Sequence, residues 1–114
     1  MALFEGDIIE IDADAAAGHE QQGRRAALIV SVDVLNASVG LAVVCAITTH
    51  GGRATSARND LEVALPPGIA VKGVILPHQI RTIDTRARKA QKVAVVPRAI
   101  LLATRARLKA LLGL

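Results

Sequence analysis

The sequence predicts a mainly β domain, a small β-barrel or half-open sheet that ends in one C-terminal helix. Short apolar runs separated by turn residues recur as far as residue 83, and apolar residues take up helical spacing only after Pro97. Strands do not alternate with helices, which argues against an α/β fold. Because 114 residues is close to the usual size of one domain, we expect residues 1–114 to form a single domain.

Three strands are predicted in the first half of the chain. Residues 7–12 (DIIEID) alternate partly between apolar and acidic positions. The apolar run within residues 26–33 is typical of a strand buried on both faces, and so is the run at residues 41–48 (LAVVCAIT). Asn36 and Gly40 predict a turn over residues 36–40, between the second strand and the third.

The second half is predicted to contain further strands. Residues 49–59 are expected to form an exposed loop, and residues 61–65 alternate as in a half-buried strand before Pro66 ends the run. Two more strands are expected at residues 69–76 and 80–83, on either side of Pro77, with a possible bulge at Gly73.

The chain is predicted to close with a helix. Pro97 suits the first helical position and Gly113 suits the residue after the last turn. The predicted apolar stripe consists of Ile100, Leu101, Thr104, Leu108, Leu111 and Leu112, with Arg98, Arg105 and Lys109 on the opposite side.

The polar loop that leads into the second strand is the candidate site. Residues 18–31 (GHEQQGRRAALIVS) pass from glycines and charged side chains directly into an apolar run. Gly18 and Gly23 allow positive φ angles in this loop, and the buried strand gives it a rigid support. Small β proteins commonly hold their functional side chains in this way.

Charge is distributed unevenly along the chain, although the net charge is only +4. Acidic residues dominate up to Asp33, whereas residues 71–114 carry Asp84 as their sole acid among many Lys and Arg. This distribution suits a polyanion or an acidic partner peptide. For residues 81–92 a solvated basic face is an equally good explanation, and for the final helix it is the better one.

Composition narrows the class of protein. Hydrophobic residues make up 52% of the chain and Phe4 is the only aromatic, so the core must be aliphatic. Such an excess favours a homodimer interface, with a densely packed monomer as the alternative. Cys45 is the only cysteine, and no metal-binding, Walker or dinucleotide motif is present, so we expect no metal and no cofactor. No signal peptide or membrane span is recognised, which predicts a cytoplasmic protein.

Histidines offer one possible chemistry. His19, His50 and His78 are scattered, and two of them could act as acid and base in phosphodiester cleavage. A solvated loop histidine is the more common alternative.

Four segments together resemble the MazF/PemK family of toxin endoribonucleases: residues 6–12, GHEQQGRRAALIVS, AITTH and GVILPHQIRTID. The most specific part is Glu20-Gln21-x-Gly23-x-Arg25 leading into a strand, with a threonine at the end of another strand about twenty residues later and a Gly-Val…Gln segment after it. The resemblance implies an SH3-like barrel of the MazF/PemK/CcdB type that forms a homodimer. It also implies the toxin of a type II toxin–antitoxin system, which cuts single-stranded RNA without a metal, and a MazE-like antitoxin with a flexible acidic tail.

The resemblance implies that Arg25, Thr48 and Glu20 are the catalytic residues. Attack of a ribose 2′-hydroxyl on its own phosphate builds negative charge, which a guanidinium can stabilise with paired donors. Arginine keeps its proton, so Glu20 is the candidate base. Each residue also has a structural alternative: Glu20 could pair with Arg24, Thr48 could satisfy a strand end, and Arg25 could be an ordinary surface residue. RNA contacts are implied for Gln21, Arg24, Thr49, His50, Arg53, Gln79 and Arg86.

The chain departs from the family pattern in two ways. Ala26 stands where the family usually has proline, which restores a backbone donor. The near absence of aromatic residues removes the usual stacking platforms for single strands. Two other functions remain open: a CcdB-like toxin that acts on DNA gyrase without catalysis, and a barrel that binds RNA without cutting it.

Overall fold

The computed structural model describes residues 2–12, 23–48, 57 and 59–114. They form six strands and two helices: β1 (Asp7–Asp12), β2 (Arg24–Ile29), α1 (Asp33–Val39), β3 (Leu41–Thr48), β4 (Val63–Ala64), β5 (Val74–Asp84), β6 (Gln91–Val95) and α2 (Arg98–Leu112). One curled sheet contains all six strands in the order β4-β5-β3-β2-β1-β6, and every neighbouring pair is antiparallel. The predicted mainly β fold with a C-terminal helix is confirmed.

The sheet buries both of its faces. On one face Ile8, Leu28 and Cys45 pack in a cluster with Leu101 and Leu108 of α2. The opposite face carries a second apolar cluster, formed by Ile9, Ile11, Ala27, Ile29, Ala42, Val44, Ile83 and Ala90. Successive strand residues point to opposite faces, so β2 and β3 need apolar residues at nearly every position. This explains their continuous apolar runs.

A turn at residues 85–89 connects β5 to β6, on the opposite side of the sheet. The Thr85 amide donates to the Gly40 carbonyl beside β3 (3.2 Å), and the Asp12 amide at the end of β1 donates to the Arg88 carbonyl (3.0 Å). Ala90, which follows the turn, is buried in the second apolar cluster. The connection from β5 to β6 therefore crosses from the β3 side of the sheet to β1.

The region between β2 and β3 differs from the sequence prediction. We expected a strand over residues 26–33 and a turn over 36–40, but β2 ends at Ile29 and α1 occupies Asp33–Val39. Side chains stabilise this arrangement: the Ser31 hydroxyl donates to the Asn36 amide oxygen and accepts from the Val43 amide (3.0 Å). Such tertiary bonds override the weak local preferences of a seven-residue helix.

The strands after residue 60 also differ. Instead of strands at 69–76 and 80–83, β5 is one strand that runs through Pro77. Cys45 pairs with Ile80 while its neighbour Ala46 pairs with Leu76, so residues 77–79 form a bulge. Because a bulge leaves residues outside the ladder, proline is tolerated there. The bulge is not at Gly73, and β4 is shorter than the predicted 61–65.

The C-terminal helix was predicted well at its ends and less well on its faces. Gly113 caps α2 in the left-handed conformation, whereas Pro97, predicted at the first helical position, is the N-cap, because α2 begins one residue later at Arg98. Leu111 and Leu112, predicted to be part of the buried stripe, are 41% and 55% exposed. Arg105, predicted to face away from the core, instead donates to the Glu5 carboxylate and to the Val30 carbonyl.

Candidate active site

Arg25 and Thr48 lie opposite each other on neighbouring central strands. In the β2–β3 ladder Ala27 pairs with Ala46 and Ala26 pairs with Ile47. When this register is continued by one residue, Arg25 lies opposite Thr48. The Cβ atoms of directly opposed residues are about 4.5–5.5 Å apart and their side chains share a face. Two of the three residues predicted to be catalytic are thus brought together at one end of the sheet.

The Arg25 side chain extends from an apolar surface into solvent. Ile11, its partner on β1, is 5% exposed, and Ala27, the next residue on the same face, is 2% exposed. Arg25 itself is exposed, and its guanidinium makes no hydrogen bond or ion pair within the described part of the chain. An exposed guanidinium offers paired donors that an anionic ligand such as a phosphate can accept.

Arg24 is used quite differently. Its Nη1 donates to the Asp12 carboxylate (2.6 Å), and its Nη2 donates to the carbonyls of Glu10 (2.8 Å) and Lys89 (2.6 Å). A longer contact reaches the Gln91 side-chain oxygen (3.3 Å). Arg24 thus ties the start of β2 to β1 and to the turn at residues 85–89. Its RNA contact stays a prediction.

Thr48 is the last residue of β3 and is half-buried. Val74 of β5 pairs with it on the side away from Arg25. Its hydroxyl makes no hydrogen bond to any residue that the structure describes. The hydroxyl can therefore be directed toward a group bound beside Arg25.

The other predicted site residues are distributed as follows. Gln79 is exposed in the β5 bulge, and Arg86 is exposed in the turn at residues 85–89. Since this turn contacts both Gly40 and Arg24, Arg86 belongs to a basic segment that borders the sheet near Arg24. Outside the described residues lie Glu20, Gln21, Thr49, His50, Arg53 and also His19.

Cys45 and the potential metal ligands among the described residues do not form a further reactive or metal-binding site. Burial raises the pKa of the Cys45 thiol from 9.0 to about 12, so it stays protonated and unreactive at neutral pH. Within residues 2–12, 23–48, 57 and 59–114 no group of three or more His, Cys, Asp or Glu side chains could hold a metal ion. Neither helix of this part of the chain is long and apolar enough to cross a membrane.

Comparisons with known proteins identify the family of this chain and similar solved structures. Residues 4–112 match a family described as PemK-like, MazF-like toxins of type II toxin–antitoxin systems. The endoribonuclease toxin ChpB of Escherichia coli K12 is 38% identical over 91 residues, which cover 79% of this chain and 77% of ChpB. The endoribonuclease PemK of Escherichia coli is 39% identical over 97 residues, or 84% of this chain and 71% of PemK.

A solved structure extends the similarity to the whole fold. A chain in the MazE-MazF crystal structure (Form-II) from Deinococcus radiodurans superposes with a TM-score of 0.87 and is 33% identical. The match covers 100% of this chain and 98% of that chain. The sheet order and the terminal helix described above therefore have a counterpart of known structure.

Proposed function

Because this chain belongs to the PemK-like, MazF-like toxin family of type II toxin–antitoxin systems, we propose that it is an endoribonuclease that cuts single-stranded RNA beside Arg25 and Thr48. The observation that carries the proposal is the register of β2 and β3, which opposes these two side chains on one face. An exposed guanidinium without a described partner and a threonine hydroxyl can contact the same phosphate.

The proposed reaction is a transesterification within the RNA. The 2′-oxygen forms a bond to the adjacent phosphorus while the bond to the 5′-oxygen breaks, leaving a 2′,3′-cyclic phosphate and a 5′-hydroxyl. Arg25 stabilises the charge that develops on the phosphoryl oxygens, and Thr48 adds a hydrogen bond. Glu20 is proposed to accept the 2′-hydroxyl proton, and the 5′-oxygen takes a proton from water.

Ala26 is compatible with this role for Arg25. It pairs with Glu10 on one side and with Ile47 on the other, so β2 already lies in the sheet at residue 26. An alanine can donate its backbone N–H to such a ladder, whereas a proline could not. Arg25 is therefore held between two strands, which limits the directions its side chain can take.

RNA is proposed to extend from this pair toward the basic segment around Arg86, which borders the sheet near Arg24. Gln21, Arg24, Thr49, His50, Arg53, Gln79 and Arg86 are the proposed contacts. A single strand is the expected substrate because an A-form duplex holds the 2′-hydroxyl out of line for attack. Few aromatic side chains are present, so hydrogen bonds and arginine stacking would have to recognise the bases.

We further propose a cognate antitoxin, a homodimeric toxin and a cytoplasmic location. The solved relative from Deinococcus radiodurans is a MazE-MazF structure, and an acidic antitoxin tail would suit the basic C-terminal third of this chain. Large apolar side chains exposed in the isolated protomer support an interface with a partner: Val95, Leu102, Leu111, Leu112 and Leu114.

The test is cleavage of a long single-stranded RNA in EDTA by the full-length protein. We expect discrete cuts with 2′,3′-cyclic phosphate ends, slowed about 100-fold or more by Arg25→Ala, the usual effect of losing a charge-stabilising donor. Arg98→Ala is the matched control, because it removes an exposed arginine at the start of α2.

Two results would count against the proposal. Intact RNA with every protein, over several RNAs, would favour a gyrase-directed toxin or a non-catalytic RNA-binding barrel. Equal cleavage rates for the wild type and Arg25→Ala would support ribonuclease activity but would show that Arg25 is not part of the catalytic site.

A further inference from the structure

The backbone of Gly73 lies directly against the backbone of Thr48. A Cβ atom built on Gly73 would lie 2.2 Å from the Thr48 carbonyl oxygen, 3.2 Å from the Thr48 carbonyl carbon and 3.2 Å from Ile47 Cγ2. The φ angle of Gly73, +150°, is also one that residues with a side chain rarely adopt. Position 73 therefore admits only glycine while Thr48 stays where it is.

Three strand ends meet at this point. The Leu65 amide after β4 donates to the Gly73 carbonyl (3.0 Å), and Val74 pairs with Ala64 on one side and with Thr48 on the other. Val74 is only 2% exposed. Because these contacts hold Gly73 between β4 and β3, a side chain added there would force the Gly73 and Thr48 backbones apart and change the position of Thr48 relative to β5.

We propose that Gly73 and Val74, at the start of β5, are positioning residues for Thr48. They hold Thr48, on the neighbouring strand β3, directly opposite Arg25 on β2. This inference rests on the proposed ribonuclease function. Neither residue contacts the RNA. Their contribution is that the close approach of two backbones fixes the backbone of the last residue of β3, and with it the point from which the Thr48 side chain projects.

The expected effect follows from the size of the overlap. Bringing the Gly73→Ala methyl from 2.2 Å to an ordinary contact of 3.4 Å requires a movement of about 1.2 Å, and misplacement by about 1 Å can already slow catalysis about 100-fold. RNA affinity should change little, because most RNA contacts lie elsewhere. Gly68→Ala is the matched control: its φ is +94° but an added Cβ would meet nothing within 4 Å.

The experiment uses the full-length protein and one short RNA that contains a mapped cut site. Single-turnover cleavage rates are measured for the wild type, Gly73→Ala and Gly68→Ala, and affinity is measured with the same RNA carrying a 2′-deoxy group at the cut. We expect Gly73→Ala alone to lose cleavage, at unchanged affinity. Cleavage by Gly73→Ala at the rate of Gly68→Ala would overturn the inference.

A double-mutant cycle separates positioning from general damage. If Gly73 acts through Thr48, then adding Gly73→Ala to Thr48→Ala should cost little more than Thr48→Ala alone. Independent losses that multiply would reject the inference. A wild-type protein that does not cut any RNA would instead reject the proposed function itself.

A second pair of variants covers the case in which Gly73→Ala does not fold. Val74→Ala removes two methyl groups beside Thr48, whereas Val44→Ala makes the same change at an equally buried position in the middle of β3. We expect Val74→Ala to slow cleavage more than Val44→Ala at a temperature where both are folded. Equal rates would overturn the positioning role of this segment.

Discussion

Arg24 and Arg25 are adjacent in sequence, and the structure predicts opposite consequences when each is replaced by alanine. Arg24→Ala removes the bonds to Asp12 and to the carbonyls of Glu10 and Lys89. Arg25→Ala removes no hydrogen bond of the described residues. We therefore expect Arg24→Ala to lower stability and Arg25→Ala to lower cleavage.

The size of the stability change can be worked out from exposure. The side chains of Arg24 and Asp12 are 29% and 45% exposed, so their ion pair contributes below about 1 kcal/mol. Hydrogen bonds from charged donors contribute about 1.5–3 kcal/mol when buried, and the two carbonyl contacts of Arg24 are partly solvated. About 2 kcal/mol is a reasonable total for Arg24→Ala, against less than about 0.5 kcal/mol for Arg25→Ala.

The assay is urea unfolding followed by far-ultraviolet circular dichroism, since the chain contains no Trp or Tyr for fluorescence. Cleavage is measured on the same preparations. Arg24→Lys serves as a control, because lysine keeps the charge but lacks the planar fork that reaches two carbonyls. Equal free energies of unfolding for Arg24→Ala and Arg25→Ala would refute the reasoning.

Three further predictions concern the scaffold. Arg105→Met should lower the free energy of unfolding by about 2 kcal/mol, and Glu5→Gln by less, because the Val30 carbonyl contact survives in the latter; urea titrations that order the two variants the other way would contradict this. Burial raises the pKa of the Cys45 thiol to about 12, so its contribution to the free energy of unfolding is complete below pH 9 and is lost as the pH rises toward 12. Between pH 9 and 12 the free energy of unfolding should therefore fall less steeply with pH in Cys45→Ala than in the wild type. Gly40→Ala should cost about 1 kcal/mol because Gly40 caps α1 at a φ of 70°, and RNA cleavage should be unaffected.

The sheet and the last helix were predictable because their patterns are local. Residues 7–12 and 41–48 have the bounds that the apolar runs indicate, and Gly113 ends α2 as expected. Helix α1 was missed because bonds between Ser31, Asn36 and Val43 stabilise it, and such contacts leave no periodic signal. Likewise the bulge after Leu76, which admits Pro77, depends on the partner strand.

The candidate site was predictable only in part. The family resemblance identified Arg25 and Thr48 as site residues. That they lie opposite each other depends on the register of β2 and β3, which cannot be read from the sequence. The different use of Arg24 and Arg25 follows from the alternation of side chains across a strand combined with the position of Asp12 and Lys89. Gly73 carried a visible signal, a glycine before an apolar run, but its contact with Thr48 is tertiary.

The pairing of the two ends of the chain has a consequence for folding during synthesis. Strand β1 pairs with β2 nearby in sequence, but its other partner is β6: Asp7 pairs with Val95, and Glu5 contacts Arg105, so these contacts form only after residues 95 and 105 have been made. Contacts between such distant residues form slowly and late. Arg24, beside the proposed catalytic arginine, also needs Lys89 and Gln91 to complete its bonds. A nascent chain that has not yet emerged past these residues therefore cannot complete the bonds of Arg24, and we expect ribonuclease activity to begin only after residue 91 has been made.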